Sequence, residues 1–181
     1  IPLRRQRQMC IRDRSKVLIE QNQIEQKVKE LAERINKDYL GEELVIVGIL
    51  KGAFIVISDI AKQLDVDVTF EFMSIQSYEG TQSTGQIKID KDLDIDITGK
   101  NILIVEDIFD TGLTLSHLKN LLESRNPKSI EILCMFVKKD ISIEPVDIKY
   151  SGFEIGPEFV VGYGLDYEGK YRELPFLGIL S

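Results

Sequence analysis

Short aliphatic runs alternate along this chain with longer segments of helical periodicity, and this alternation limits the possible folds more than any other feature. Strands that are apolar on both faces are typical of parallel sheets covered by helices on each side. Such runs are LVIVGIL (44–50), NILIV (101–105) and IEILCMFV (130–137), and helical periodicity is found over 20–39, 53–64 and 113–125. The sequence therefore predicts an α/β domain with a mainly parallel sheet flanked by helices.

Two segments depart from the regular alternation. VTFEFMSI (68–75) predicts a strand, and the polar, glycine-containing segment after it leads into QIKI, so residues 68–97 are predicted to form a strand pair or flap. FVVGYG (159–164) predicts a further strand.

Composition excludes several classes of function. The 181 residues suit one domain, and no apolar run approaches the roughly 18 residues of a membrane span. Beyond residue 16 the chain has 17 basic and 29 acidic residues, a net charge of −12, which argues against nucleic-acid binding. Cys10 and Cys134 have no metal-ligand spacing, and Cys134 is predicted to be a buried thiol, so a reducing cytoplasmic setting fits best.

The first residues differ from the rest of the chain. Residues 1–16 contain six basic residues and one acid, and 1–15 show no sustained helical period. We interpret 1–15 as a basic leader, disordered or foreign to the protein, and 16–181 as the functional domain. A binding arm or a transit-like segment is the alternative interpretation.

The most informative stretch is ILIVEDIFDTGLTL, residues 102–115. Ligands of open parallel sheets bind at the carboxyl ends of the strands, where Glu106 and Asp107 are predicted to lie. A turn into the next helix then offers backbone N–H groups and the positive end of a helix dipole, which together suit a phosphate. Two carboxylates beside a phosphate site indicate a phosphorylated sugar. The alternative is that these are turn acids and that Thr111 caps the helix.

This stretch closely resembles the phosphoribosyl pyrophosphate signature of the type I phosphoribosyltransferases. Further matches resemble the hypoxanthine-guanine phosphoribosyltransferases of the short bacterial type, and the resemblance covers about 16–181. It implies the type I phosphoribosyltransferase fold with a small hood and a flexible lid loop. These matches are GILKGAF (48–54), the SY…STG segment (77–85), FVKK (136–139) and GFEIGPEFVVGYGLDYEGKYRELP (152–175).

The resemblance also implies the residues of the site. Asp110 would be the general base at purine N7. The phosphoribosyl group would be bound by Glu106, Asp107, Asp110, Thr111, Gly112, Leu113 and Thr114. Lys51, Gly52 and Arg172 would bind pyrophosphate, with a cis peptide in the Lys51-Gly52 dipeptide. Lys138, Phe159 and Val160 would bind the purine, Ser77 and Tyr78 belong to the lid, and Glu106, Asp107 and Asp166 would be linked to Mg²⁺.

For two of these positions the residues alone leave plainer alternatives open, and two residues outside the site are also interpreted. Lys51 would equally suit a surface lysine at a turn, and Phe159 alone favours a core residue. Lys139 is interpreted as solvated. His117, the one histidine, is expected to have a structural or solvated role.

The function implied is purine salvage, by transfer of the 5-phosphoribosyl group to N9 of hypoxanthine or guanine, giving IMP or GMP and diphosphate. The partners would be a 6-oxopurine and phosphoribosyl pyrophosphate, with Mg²⁺ as cofactor, no nucleic acid, no membrane, and a homo-oligomer (dimer or tetramer). Two alternatives are a non-catalytic nucleotide-sensing regulator of the same fold and a transferase for xanthine or a pyrimidine.

Overall fold

The computed structural model describes residues 15–77, 87–139 and 144–180, and this described part of the chain forms nine strands and three helices. The strands are β1 (Ser15–Ile19), β2 (Glu43–Leu50), β3 (Asp67–Ser77), β4 (Ile87–Lys91), β5 (Asn101–Phe109), β6 (Ser129–Lys138), β7 (Tyr150–Ile155), β8 (Val160–Val161) and β9 (Leu177–Leu180). The helices are α1 (Gln21–Asp38), α2 (Phe54–Ala61) and α3 (Leu113–Glu123).

The larger sheet has six strands in the order β4-β3-β2-β5-β6-β7. All neighbours are parallel except β4, which runs antiparallel to β3 at one edge. This confirms the predicted mainly parallel sheet, and the antiparallel β3–β4 pair confirms the strand pair predicted within 68–97.

Helices cover both faces of this sheet because its central strands bury side chains on both faces. In β2, Leu44 and Ile46 pack in the core cluster that contains the apolar stripe of α1, while Val45 and Val47 pack in the cluster that contains α3. The apolar stripe of α1 is the predicted one: Ile24, Val28, Leu31 and Ile35 are all buried. The periodicity of the sequence therefore fixes which helix faces which side of the sheet.

The helix predicted over 53–64 ends earlier than expected, at Ala61. Asn36 of α1 accounts for this: its side-chain amide donates to the carbonyl of Gln63 (3.0 Å) and its oxygen accepts from the N–H of Asp65 (2.9 Å). These bonds satisfy backbone groups outside the helix, so the chain turns towards β3 instead of continuing as helix.

A second sheet of three antiparallel strands, β1-β9-β8, forms the small hood, which with its connecting residues 162–176 lies beside the carboxyl ends of the larger sheet. The predicted strand at 159–164 is reduced to Val160–Val161 and belongs to the hood. The first hood strand begins at Ser15, which pairs with Leu180. The domain thus includes the last residue that we assigned to the leader, and residues 1–14 lie outside the described part.

None of the three helices in the described residues is long and apolar enough to cross a membrane.

Candidate functional site

Predicted site residues that end or follow three different strands lie at one edge of the larger sheet, where β2, β5 and β6 end. The chain leaves β2 towards β3 on one side and leaves β5 towards β6 on the other, so the boundary between β2 and β5 is a topological switch point. Ligands of open α/β sheets bind in the crevice at such a point. Lys51 and Gly52 follow β2 there, residues 110–114 follow β5, and Lys138 ends β6.

The turn after β5 forms the predicted anion site. Gly112 has φ of +82° and precedes α3, and a Cβ at this position would lie 2.6 Å from the carbonyl oxygen of Glu144 and 2.8 Å from the ring of Phe109. Both the left-handed conformation and the lack of space therefore require glycine. Within the described residues no side chain caps α3, contrary to the alternative in which Thr111 does so, and an uncapped helix start is suited to binding an anion.

A cavity of about 150 Å³ lies over this helix start. Its size suits a phosphate and part of a sugar. It is lined by Ile75, Glu106, Ile108, Phe109, Asp110, Thr111, Gly112, Thr114, Leu115 and Leu118.

The two adjacent acids lie within β5 itself, since the strand continues to Phe109 rather than ending at Val105 as expected. Consecutive residues of a strand point to opposite faces, and the two carboxylates separate accordingly. Glu106 lines the phosphate cavity, whereas Asp107 lies against Gly52. The pair is therefore two distinct contact points rather than one bidentate clamp.

Burial of both carboxyl groups makes their charged forms less favourable. Burial, with a smaller contribution from the charge of Asp107, raises the pKa of Glu106 well above its ordinary value. Burial raises the pKa of Asp107 to about 6, although the N–H of Ile108, 2.8 Å from Oδ1, opposes this shift. Within the described residues, Glu106 Oε2 has no hydrogen-bond partner. A buried oxygen without a partner costs free energy, so Glu106 Oε2 suits a ligand that donates a hydrogen bond to it or a cation.

Glycines bring the hood and the larger sheet into direct backbone contact. A Cβ on Gly52 would overlap the carboxylate of Asp107, and a Cβ on Gly164 would overlap the carbonyl oxygen of Gly52. Gly164 also has φ of +102°. The cis peptide near this loop is the Leu50–Lys51 bond, one bond before the position expected from the resemblance.

Lys138 and Asp110 form an ion pair that the sequence did not reveal. Lys138 Nζ lies 3.2 Å from Asp110 Oδ2, and the lysine side chain is only 11% exposed. The two residues come together because β5 and β6 are parallel neighbours in register, with Phe109 opposite Val137. Lys138, the predicted donor to the purine, and Asp110, the predicted general base, therefore lie next to each other.

The hood contributes the remaining residues. Phe159 is 55% exposed, which rules out the core interpretation, and Val160 is buried in β8. Arg172 donates to the carbonyl oxygen of Gly164 (2.6 Å) and pairs with Asp166 (2.6 Å). The second oxygen of Asp166 accepts from the N–H of Gly169 (2.7 Å).

Tyr167, which the sequence analysis did not single out, lies beside the predicted purine-stacking residue Phe159. Its ring lies against that of Phe159, with centroids 5.8 Å apart. The signal was the Glu168-Gly169 pair between Tyr167 and Lys170, a dipeptide suited to a tight hairpin that holds a flanking aromatic in place.

Three further predictions concern residues outside this constellation. His117 Nδ1 donates to the carbonyl of Leu113 (2.7 Å) within α3, which confirms a structural role. Ser77 ends β3, while Tyr78 and the remainder of the predicted lid, to Gly85, lie outside the described residues. Cys134 is buried in β6 as a free thiol, as predicted, and Cys10 lies outside the described residues.

Comparisons with known proteins agree with this geometry. The family model of the phosphoribosyl transferase domain matches residues 16–168. The hypoxanthine-guanine phosphoribosyltransferase of Mycobacterium tuberculosis is 44% identical over 176 residues, covering 93% of this chain and 87% of the relative.

Two solved structures are similar to this chain in both fold and sequence. The crystal structure of a hypoxanthine phosphoribosyltransferase from Staphylococcus aureus has a TM-score of 0.92 and 42% identity, with 95% of each chain covered. A hypoxanthine-guanine phosphoribosyltransferase from Bacillus anthracis has a TM-score of 0.88 and 42% identity, covering 92% of this chain and 98% of that one. The chain therefore belongs to the phosphoribosyl transferase family, among the hypoxanthine-guanine phosphoribosyltransferases.

Proposed function

We propose that the protein transfers the 5-phosphoribosyl group of phosphoribosyl pyrophosphate to N9 of hypoxanthine or guanine, giving IMP or GMP and diphosphate. The observation that carries this proposal is the Lys138–Asp110 pair beside an uncapped helix start. It combines a donor for a carbonyl oxygen, a proton acceptor and a phosphate site in one cleft.

The donor substrate is bound along the carboxyl ends of β5 and β2. Its 5′-phosphate occupies the loop of residues 110–114, where backbone N–H groups supply the hydrogen bonds. The diphosphate lies between Lys51-Gly52 and Arg172, whose guanidinium Asp166 already holds in place (2.6 Å). The ribose hydroxyls face Glu106 and Asp107.

The residues present fit a Mg²⁺ ion that is bound together with the substrate. The described residues contain no cluster of three or more metal-binding side chains, so a closed protein cage is not formed there. Mg²⁺ commonly keeps water and substrate oxygens as ligands and uses only one or two carboxylates. The partnerless oxygen of Glu106 and the buried carboxylate of Asp107 suit that arrangement, with Asp166 on the diphosphate side. When bound, the ion would neutralise diphosphate charge.

The base is read by the hood and β6. Lys138 donates to O6 of the purine, Phe159 stacks on the ring, and the Val160 carbonyl accepts from its edge. A 6-amino group would place donors against the Lys138 donor, so adenine is disfavoured. Asp110 accepts the N7 proton as N9 attacks.

Closure over the site completes the proposal. The sugar passes through an oxocarbenium-like state, which the acidic cleft tolerates and water would destroy. The lid that begins at Ser77 and Tyr78 would exclude that water.

The function is tested by incubating the purified protein with phosphoribosyl pyrophosphate, Mg²⁺ and a panel of bases. We expect IMP and GMP with stoichiometric diphosphate, and little product from adenine or uracil. Xanthine turnover would measure how finely the pocket discriminates. Nucleotide binding without diphosphate release from any base would instead support the non-catalytic regulator.

Replacing Lys138 by methionine is expected to raise the KM for hypoxanthine by about tenfold or more, since a hydrogen bond to a charged group is lost. The KM for the ribosyl donor should change less than about twofold, because the ion pair of Lys138 in the described residues is with Asp110 and the phosphate would be held mainly by backbone N–H groups. Steady-state kinetics with each substrate varied in turn make the measurement.

Lys139→Met is the matched control, because Lys139 is adjacent but pairs with Glu154 on the surface. An equal change in both variants would remove Lys138 from purine recognition.

We further propose that the protein is a cytoplasmic homo-oligomer, a dimer or tetramer. The free, buried thiol of Cys134 supports a reducing compartment. For assembly, the support is a Trypanosoma cruzi hypoxanthine phosphoribosyl transferase, 36% identical, whose C-terminal region bears on its oligomeric state.

A further inference from the structure

The hood carries two exposed aromatic side chains that contact each other. Phe159 is 55% exposed and Tyr167 is 47% exposed. Their rings meet edge to face, with centroids 5.8 Å apart and planes at 82°. Tyr167 is the one aromatic ring that Phe159 contacts in the described part of the chain. Edge-to-face pairs of this geometry are favourable beyond the area that they bury.

Tyr167 is held much more firmly than its exposure suggests. It opens a two-residue hairpin in which its N–H donates to the Lys170 carbonyl (3.1 Å) and the Lys170 N–H donates back (3.0 Å). Glu168 and Gly169, the turn residues, have φ of +52° and +75°, as a type I′ turn requires.

The preceding residue anchors the same hairpin. Asp166 accepts from the N–H of Gly169 (2.7 Å) and pairs with Arg172 (2.6 Å). The backbone of Tyr167 is thus fixed from both sides, and its ring is a fixed support for a more exposed neighbour.

Phe159 has no such support of its own. It precedes the two-residue strand β8, so backbone pairing begins only at the next residue, Val160. A perpendicular ring restricts the tilt of Phe159 while leaving at least one of its faces uncovered by an aromatic neighbour. That open face is what a planar base needs.

We propose that Tyr167 is a positioning residue, which orients the Phe159 ring for stacking on the purine. This inference rests on the proposed function. It predicts that Tyr167 acts on base binding and not on the donor, although the same hairpin carries Asp166 and Arg172, because the hairpin bonds come from backbone atoms and from Asp166.

The test is a double-mutant cycle with Tyr167→Leu and Phe159→Leu, measured as the KM of hypoxanthine. Tyr167→Leu should raise this KM by about three- to tenfold, the range expected from one lost aromatic pair. The donor KM and kcat should stay within about twofold. Tyr167→Phe keeps the ring and should restore the wild-type KM.

The decisive result is the cycle itself. If Tyr167 acts through Phe159, adding Tyr167→Leu to Phe159→Leu should change the KM no further. An equal additional loss in that background would show a direct contact with substrate and overturn the proposal, as would an unchanged KM in the single variant. Leu40→Ala, at a residue 81% exposed at the end of α1, is the control for removing surface apolar area.

Failure of the proposed function would be recognised separately. A wild-type protein that forms no IMP or GMP would refute the transferase reaction. Wild-type turnover with an insensitive or additive Tyr167 would refute only the positioning role.

Discussion

Replacing Asp110 by asparagine is expected to lower kcat by about 10²–10⁴-fold, the usual loss when a general base is removed. Asparagine keeps an oxygen that can accept from Lys138 Nζ, now 3.2 Å from the carboxylate, so the geometry of the pair is retained. What disappears is the ability to take a proton from N7. Steady-state rates and the donor affinity measured by calorimetry, on the same preparations, distinguish a loss of proton transfer from a loss of donor binding.

The donor affinity of Asp110→Asn should stay within a few-fold, because backbone N–H groups hold most of the phosphate. The Asp110 side chain is 49% exposed, so the melting temperature should change little. Asp94→Asn, at a surface carboxylate paired with Lys91, is the control. A variant with wild-type kcat would exclude Asp110 from the chemistry.

Replacing Gly52 by alanine is expected to lower kcat/KM for the ribosyl donor by about 10²-fold. The new Cβ would overlap the carboxylate of Asp107. That carboxylate is buried and accepts from the N–H of Ile108, so it moves only by breaking this bond or by shifting the loop. Either response misplaces a substrate-binding group, and a misplacement of about 1 Å is enough for such a loss. Overpacking of this kind also destabilises by about 1–3 kcal/mol.

Gly99→Ala is the matched control for Gly52→Ala. Gly99 has φ of +69° and nothing within 4 Å of the added Cβ, so alanine there introduces backbone strain without a collision. We expect that control to lose stability and keep donor kinetics. If both variants lose only stability, the close approach of Gly52 to Asp107 has no role in donor binding.

The sequence predicts those elements whose signal is local. The stripe of α1 and the apolar runs of β2, β5 and β6 were identified within a residue or two, apart from the continuation of β5 to Phe109. Two of the three hood strands, β1 and β9, escaped notice because they are four or five residues long and pair with each other across the whole chain. β7 escaped because an edge strand such as YSGFEI, with serine, glycine and glutamate, has no continuous apolar run.

For the site, too, features encoded in short motifs could be predicted, whereas contacts between distant parts of the sequence could not. Its residues were identified from short motifs through a family resemblance, because each motif occupies one turn or strand end. The arrangement of these residues relative to one another was not predicted, because the contact of Lys138 with Asp110 depends on the register of two strands. Likewise, the opposite directions of Glu106 and Asp107 follow from β5 extending further than its apolar run. Tyr167 was missed because its importance comes from the hairpin that places it against Phe159.

The contact of Gly164 with Gly52 has a mechanical consequence. No side chain separates the two backbones, so the hood cannot translate any closer to the larger sheet at this point. A hood movement that narrowed the cleft would therefore be a rotation about this contact rather than a translation towards the sheet. Such a pivot lies beside the fixed carboxylate of Asp107, so the base-binding end of the hood would travel furthest while the donor end stays nearly still. The cleft would then close on the purine by a hinge-like rotation, with the proposed sugar-binding groups near the rotation axis.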